Sequence, residues 1–86
     1  MDLDLTFSAL ASRPRRQMLA LLSQTALSTT ELAARFPMSA PAISRHLSVL
    51  LEAGLVESER LGQRVLYRLK RDALLNALAR LASEVD

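Results

Sequence analysis

Apolar residues recur at helical spacing along most of the chain, and one stripe is clearer than the others. That stripe consists of Ile43, Leu47, Leu50 and Leu51. Spacings of four, seven and eight residues place such side chains on one face of a helix, so the pattern predicts an amphipathic helix over 39–53. Ser39 can accept the N–H groups of its first turn, and Gly54 suits the left-handed residue that follows a helix.

Two helices are predicted near the start of the chain. Asp4 can cap the first, over 4–11, whose apolar residues are Leu5, Phe7 and Leu10. Ser12 can cap the second, in whose first turn Pro14 is tolerated because its missing N–H has no helical partner there. The apolar stripe of this second helix consists of Met18, Leu21 and Leu22, with Leu19 beside it.

A short third helix is predicted just before the helix over 39–53. Ser28 and Glu31 fit a capping box, in which each side chain accepts the backbone N–H of the other residue. Leu32, Ala33 and Phe36 face inward in this prediction, and Pro37 ends the helix. Two helices joined by a tight turn form a helix-turn-helix arrangement.

The pattern changes after Gly54. Two segments with β propensity, 55–61 and 64–69, flank Gly62 and Gln63, which suit a type II′ hairpin turn. A last helix over 72–83 follows, opened by Asp72, with apolar residues Leu74, Leu78 and Leu81. The predicted fold class is mainly α with a small β-hairpin, in the order α-α-α-α-β-β-α, as one domain over 1–86.

Composition narrows the functional classes. Half of the residues are hydrophobic, 3% are aromatic and the formal net charge is +2, which excludes a disordered chain. No cysteine is present, so disulfides, thiolate metal sites and thiol redox sensing are excluded. The chain opens without the basic residues of a secretory signal, and no apolar run reaches the length of a membrane span. We therefore expect a cytoplasmic protein that does not contact a membrane.

Four stretches resemble the ArsR–SmtB family of winged helix-turn-helix repressors. They are Leu-Ala-Ser-Arg-Pro-Arg-Arg-Gln-Met-Leu at 10–19, Leu-Ser-Thr-Thr-Glu-Leu-Ala at 27–33, Ser-Ala-Pro-Ala-Ile-Ser-Arg-His-Leu-Ser-Val-Leu at 39–50, and Glu-Ala-Gly-Leu-Val at 52–56 with its continuation to 69. The resemblance implies that the helix over 39–53 is the recognition helix and that the hairpin over 55–69 is a wing. Double-stranded operator DNA is then the expected partner.

The helical wheel and the resemblance agree on which side chains face DNA. With the apolar stripe turned inward, Arg45 points away from the core and can bind guanine O6 and N7 or a phosphate. Small side chains allow the first turn to approach thymine methyl groups. The expected contacts in this helix are Ser39, Ala40, Pro41, Ala42, Ser44, Arg45, His46 and Ser48.

Several polar residues of the recognition helix and the wing have two possible roles each. His46 contacts a phosphate, or it packs beside Phe36 and bonds a carbonyl. Arg64 and Gln63 at the hairpin tip are expected to reach DNA, whereas Arg68 is expected to face solvent or a carboxylate. The alternative is that such wing residues provide solubility and protect an edge strand from pairing.

A second group of polar residues precedes the recognition helix. Thr29 lies at the start of the third helix, where N–H groups can bind phosphate. Arg13, Arg15 and Arg16 form a basic cluster at a helix start, which opposes the helix dipole. For Arg16 we expect an intramolecular ion pair with Glu31 or Glu52.

The terminal helices, 4–11 and 72–83, are expected to pair with a second copy of the chain. The alternative is that they cover their own domain. The expected interface residues are Leu5, Leu10, Leu74, Leu75, Leu78, Leu81 and Ala82. A twofold dimer places two recognition helices about 34–36 Å apart, which matches an inverted repeat.

The resemblance does not extend to the family's metal sites. Ser28 and Thr30 stand where arsenic and lead or cadmium sensors have cysteines, and hydroxyls are poor ligands for soft metals. The last helix has Asp72, Arg80 and Glu84 but no histidine at the positions of the zinc and nickel ligands. We expect no metal and no cofactor. An inducing signal, if there is one, would be a protein, a small apolar ligand or the concentration of the protein itself.

Two classes of function are compatible with these features. The first is a homodimeric, sequence-specific transcriptional repressor. The second is a winged-helix module that binds another protein and has no sequence preference on DNA. Enzymatic activity is not expected, because Ser44 and His46 are two apart on a helix and do not face each other, and no glycine-rich phosphate loop exists.

Overall fold

The computed structural model describes residues 2–85 and contains five helices and one antiparallel hairpin in that part of the chain. The elements are α1 (Leu3–Leu10), α2 (Arg13–Leu22), α3 (Thr29–Ala33), α4 (Ala40–Glu52), β1 (Val56–Leu61), β2 (Arg64–Leu69) and α5 (Arg71–Glu84). This order confirms the predicted fold class. The first and last residues of the predicted domain over 1–86 lie outside the described residues.

Side-chain caps set most of the helix starts. Ser12, Ser28 and Ser39 cap α2, α3 and α4 as predicted, and Pro14 lies in the first turn of α2. The predicted cap of α1 is wrong by two residues, because Asp2 and not Asp4 caps this helix. The Asp2 carboxylate accepts the N–H groups of Asp4 at 2.9 Å and Leu5 at 3.3 Å. Consequently α1 begins at Leu3.

The last helix also begins earlier than predicted. Lys70 is its N-terminal cap residue and makes no side-chain capping hydrogen bond, while Asp72 lies inside the first turn. An acidic residue there is favourable because it faces the positive end of the helix dipole. The terminal helices are thus Leu3–Leu10 and Arg71–Glu84, against 4–11 and 72–83 in the prediction.

One hydrophobic core lies between α2, α3, α4 and the base of the hairpin. Its largest fully buried apolar side chains are Met18, Leu32, Ile43, Leu47, Leu50 and Leu55. The prediction that Leu51 belongs to this core is wrong, because its side chain is 38% exposed. Successive residues of a helix are rotated by about 100°, so Leu51 lies about 80° from Ile43, while Leu47 and Leu50 lie within about 40° of it.

Gly54 turns the chain from α4 into the hairpin. Its φ of 76° is in the left-handed region that favours glycine. The Leu55 N–H donates to the Leu50 carbonyl and the Gly54 N–H to the Leu51 carbonyl, each at 3.0 Å, which is the Schellman pattern. Leu55 is fully buried next to this turn, so the hairpin starts from a fixed point.

The hairpin pairs β1 with β2 from Val56 opposite Leu69 to Leu61 opposite Arg64. At its tip Gly62 has a φ of 63°, and no non-glycine residue of the described chain has a positive φ, which agrees with the predicted II′ turn. The sequence did not predict that Leu27 joins the sheet. Leu27 and Tyr67 exchange backbone hydrogen bonds at 3.0 and 2.8 Å, which fixes β2 beside the start of α3.

The terminal helices turn their small residues inward. Thr6 and Ala9 are the buried residues of α1, and Ala73 and Ala77 those of α5. Leu5 of α1, an expected interface residue, is 41% exposed. Small side chains let α1 approach α2 and α4 closely, which leaves larger apolar side chains on the outer surface.

No helix within residues 2–85 has the length and the apolar composition that crossing a membrane requires.

The different burial of two leucines on α4 gives a stability prediction. We expect Leu47→Ala to lower the free energy of unfolding by about 2–5 kcal/mol, because a fully buried leucine leaves a cavity. Leu51→Ala serves as the matched control, and we expect it to lower that free energy by less than about 1 kcal/mol. Urea unfolding followed by circular dichroism measures both values. Equal losses for the two variants would contradict the assigned core.

Candidate nucleic-acid interface

The outer face of α4 carries the residues that the sequence assigned to DNA contact. Ser39, Ala40, Pro41, Ser44, Arg45 and Ser48 are exposed, and Ala42 and His46 are half-buried. This exposure follows from the burial of Ile43, Leu47 and Leu50 on the opposite face. The structure thus places these residues together on one surface, while their contact with DNA stays a prediction.

Arg45 is the basic residue at the centre of this surface. Its side chain is exposed, and it makes no hydrogen bond or ion pair with any residue of the described range 2–85. Its neighbours along the outer face are the short side chains of Pro41 and Ser48. Arg45 can therefore present its whole guanidinium group to a ligand.

The start of α3 lies beside the wing tip, which we define as residues 61–64. The capping box is confirmed: the Glu31 N–H donates to Ser28 Oγ at 3.2 Å and the Ser28 N–H to Glu31 Oε1 at 3.0 Å. A cleft separates α3 from the wing tip and is lined by Ser28, Thr29, Thr30, Gln63, Arg64 and Val65. The predicted contacts Thr29, Gln63 and Arg64 thus share one cleft.

Glu31 forms an ion pair that the sequence did not predict. Arg64 Nη2 donates to Glu31 Oε1 at 2.7 Å. The predicted ion pair of Arg16 with Glu31 or Glu52 is wrong, because Arg16 Nη1 donates instead to the Leu10 carbonyl at 2.7 Å. The end of α1 leaves that carbonyl without a helical partner, so a guanidinium next to it is stabilised.

The other ion pair of the wing agrees with expectation. Arg68 Nη2 donates to Glu59 Oε2 at 2.9 Å, so Arg68 faces a carboxylate. Both residues belong to the hairpin, and this pair therefore does not connect the wing to a helix.

Arg15 connects three helices and was not recognised as important in the sequence. Its Nε donates to the Ala9 carbonyl at 2.8 Å and its Nη2 to the Ser8 carbonyl at 3.1 Å, at the end of α1. Its Nη1 lies 3.2 Å from Nδ1 of His46 on α4. The only signal in the sequence is the unfavourable position of a basic residue at a helix start, which requires a compensating contact.

Of the two alternatives for His46, the bond to a carbonyl is wrong within the described chain, while contact with a phosphate stays a prediction. His46 bonds a guanidinium and not a carbonyl. Since a guanidinium only donates, Nδ1 must accept, and the proton of the neutral ring is on Nε2. Partial burial is the main reason why the pKa of His46 lies below its ordinary value, and the positive charges of Arg15 and Arg45 lower it further.

The terminal helices expose several large apolar side chains. Leu75, Leu78 and Leu81 of α5 are exposed, and so are Leu5 of α1 and Val85 after α5. Two residues of the predicted interface, Leu10 and Leu74, are half-buried instead and pack on the chain's own core. We call Leu5, Leu75, Leu78, Leu81 and Ala82 the outer apolar face.

No group of three or more histidine, aspartate or glutamate side chains within residues 2–85 is arranged to hold a metal ion. The expectation that the protein uses no metal stays a prediction.

Comparisons with known proteins agree with this architecture. A family model described as bacterial regulatory protein, arsR family, matches residues 12–58. The transcriptional repressor SdpR of Bacillus subtilis is 32% identical over 72 residues, which are 84% of this chain and 80% of that protein.

Two solved structures are similar over nearly the whole chain. An ArsR-like transcriptional regulator from Rhodococcus has a TM-score of 0.87 at 37% identity, over 96% of this chain and 75% of that one. The second is the solution structure of a homodimeric winged helix-turn-helix DNA-binding domain from Mycobacterium bovis, a possible ArsR-family regulator. It has a TM-score of 0.78 at 32% identity, over 94% of this chain and 77% of that one. The winged helix-turn-helix fold is thereby confirmed.

The contact between His46 and Arg15 predicts a pH dependence of stability. Because the pKa of His46 is lower in the folded than in the unfolded protein, its contribution is complete above the unfolded value of about 6.5. The contribution is lost as the pH falls from there through the folded pKa, with a slope of at most about 1.4 kcal/mol per pH unit.

His46→Asn tests this dependence, because the Asn oxygen replaces Nδ1 as a neutral acceptor and does not titrate. We expect the variant to lack the loss of stability that the unchanged protein shows between about pH 7 and pH 5. Denaturant unfolding across this range measures it. The pKa of Glu31 is lowered below 4.5, so its contribution is lost only at lower pH. Identical pH profiles for the two proteins would contradict the assigned state of His46.

Proposed function

The chain belongs to the arsR family of bacterial regulatory proteins, and we propose that it is a homodimeric transcriptional repressor that binds an inverted-repeat operator. In this proposal the recognition helix is the segment 39–53 and the wing is the segment 55–69. The protein acts in the cytoplasm, where the chromosomal DNA of bacteria lies, and has no catalytic activity.

The observation that carries this proposal is the unpaired Arg45 on the exposed face of α4. An exposed arginine with all its donors available can bind guanine O6 and N7 through two hydrogen bonds, or bind a phosphate. An intramolecular ion pair would have to be broken before either contact formed, and Arg45 makes none within the described chain. Arg45 is therefore the residue that we assign to sequence reading.

The remaining residues of the surface support this contact. Ala40, Pro41 and Ala42 make the first turn of α4 narrow enough to enter the major groove and touch thymine methyl groups. Ser39, Ser44, Ser48 and His46 can bind phosphates or base edges, the last through the Nε2 proton. Thr29 on α3 contacts the phosphate backbone of the DNA next to the recognition helix. Gln63 and Arg64 at the wing tip contact the same backbone.

The outer apolar face supports a dimer. Exposed leucines on one side of α5 form an apolar surface that a second copy would cover, together with Leu5. In such a twofold dimer the recognition helices of the two copies would lie about 34–36 Å apart, which is one turn of DNA. The same leucines also suit the alternative function, a module that binds a different protein.

The signal that releases the repressor is proposed to be neither a soft metal nor a thiol reaction. Ser28 and Thr30 occupy the positions of metal-binding cysteines, and the chain contains no cysteine. A partner protein, a small apolar ligand or the concentration of the repressor itself would then control DNA binding.

Arg45→Ala tests the proposed reading of DNA. The probe is a duplex selected by the unchanged protein from a randomised library, with a scrambled duplex as comparison. We expect the variant to bind the selected duplex about tenfold to a hundredfold more weakly. A loss of sequence preference indicates a base contact, whereas a salt slope that is smaller by about 0.9 indicates a phosphate contact.

Arg71→Ala is the charge-matched control. Arg71 is exposed and lies at the base of the hairpin, at the opposite end from the wing tip. Fluorescence anisotropy across a salt series should give this variant nearly the affinity of the unchanged protein. Equal losses for both variants, or failure to select any duplex, would count against sequence-specific binding and favour the protein-binding module.

Leu78→Glu tests the dimer. A carboxylate in the middle of the outer apolar face would be buried without a partner in a dimer, so we expect the variant to be a monomer. Light scattering after size exclusion measures the mass. Leu61→Glu is the control, because Leu61 is 50% exposed, close to the 46% of Leu78, but lies at the wing tip. A monomeric unchanged protein, or equal dissociation of both variants, would contradict the assigned interface.

A further inference from the structure

One oxygen atom joins the start of α3 to the wing. Glu31 Oε1 accepts the Ser28 N–H at 3.0 Å and Arg64 Nη2 at 2.7 Å. Ser28 is the cap of α3, and Arg64 is the residue of the wing tip at which β2 begins. A single carboxylate therefore holds two elements that both belong to the proposed DNA-binding surface.

The other attachments of the wing lie at its base. Leu27 and Tyr67 exchange two backbone hydrogen bonds, and the Lys70 N–H donates to the Leu55 carbonyl at 2.8 Å. Arg64 is three residues from Tyr67, or about 10 Å along an extended strand. Within residues 2–85 the contact of Arg64 with Glu31 is the only hydrogen bond between the wing tip and a helix. The tip would otherwise be free to move on its hairpin.

The ion pair leaves most of Arg64 available. Only Nη2 donates to Glu31, while a guanidinium carries five N–H donors on three nitrogens. The side chain is 61% exposed, so the remaining donors have access to a phosphate. Arg64 can thus bind DNA while it stays bound to Glu31.

We propose that Glu31 is a positioning residue for DNA binding, which holds Arg64 and the wing tip in the orientation that they have on the operator. This inference rests on the proposed function. An arginine that is already oriented loses less side-chain freedom on binding than a mobile one. Glu31 itself makes no contact with DNA.

The state of Glu31 agrees with this role. The backbone N–H of Ser28 is the main reason why the pKa of Glu31 lies below its ordinary value, and Arg64 lowers it further, against an opposing effect of partial burial. The carboxylate is therefore charged at neutral pH, where the wing would have to bind DNA.

A double-mutant cycle of Glu31→Gln and Arg64→Gln tests the proposal. The Gln oxygen can still accept the Ser28 N–H, so α3 keeps its cap and the fold is preserved. Affinity for the selected duplex is measured for both single variants, the double variant and the unchanged protein. In the Arg64→Gln background, the change in affinity caused by Glu31→Gln reports only the loss of a negative charge near the DNA. The cycle subtracts this change, so that the coupling between Glu31 and Arg64 remains.

We expect a coupling of roughly twofold to fivefold in affinity, which is the factor that an exposed ion pair supplies. Glu31→Gln should weaken binding only while Arg64 is present. Glu59→Gln and Arg68→Gln form the matched control cycle, because this pair is also exposed, at 2.9 Å, but connects the hairpin only to itself. The control cycle should give a coupling of about one.

A second measurement needs no DNA. Nitrogen-15 relaxation of the backbone amides of Gln63 and Arg64 should show larger fast motions in Glu31→Gln than in Glu59→Gln, at unchanged thermal stability. A residue with a purely structural role in α3 would not produce this difference.

The outcomes separate the two hypotheses. A coupling of one, tighter operator binding by Glu31→Gln in both backgrounds, or an unchanged mobility of the wing tip would overturn the positioning role while leaving the repressor proposal intact. If the unchanged protein binds selected and scrambled duplexes equally, the proposed function fails and the positioning role for DNA fails with it. Coupling together with increased mobility supports the inference.

Discussion

The burial of Ile43, Leu47 and Leu50 is the constraint on which the proposed function depends. These three side chains fix the rotation of α4 about its axis, because any other rotation would expose apolar surface and bury Arg45. The same constraint exposes Pro41, Arg45 and Ser48 together. Gly54 then ends the helix with a Schellman turn, so the hairpin leaves α4 in a fixed direction. Core packing thus determines both the reading surface and the place of the wing.

Two arginines determine how the elements around α4 are joined, and they do so differently. Arg15 binds two carbonyls at the end of α1 and one nitrogen of His46, which fixes α4 against the rest of the domain. Arg64 binds one exposed carboxylate at the other side of the surface. The first set of contacts is partly buried and satisfies the Ala9 carbonyl at the end of α1, so it contributes to folding. The second contact is exposed and contributes little to folding stability, and its proposed importance is that it orients Arg64.

The terminal helices combine a close fit inside with an apolar surface outside. Ala9, Ala73 and Ala77 are buried, while Leu5, Leu75 and Leu78 are exposed. A helix that had only its own domain to cover would show the reverse arrangement. Exposed leucines on a small domain support the proposed dimer, in which a second copy would cover them.

Local sequence patterns were sufficient to predict the order of the elements, the caps at Ser12, Ser28 and Ser39, and the outward direction of Arg45. These features follow from spacing along one helix or from residues within three positions of each other, so local rules suffice. The packing of the folded chain selects the partners of Arg15, Arg16, Glu31 and His46, because these partners come from different elements and long, flexible side chains can reach several acceptors. It also decided the inward direction of Ala9 and Ala77. Those outcomes depend on how closely neighbouring helices approach, which the spacing of apolar residues along a single helix does not contain.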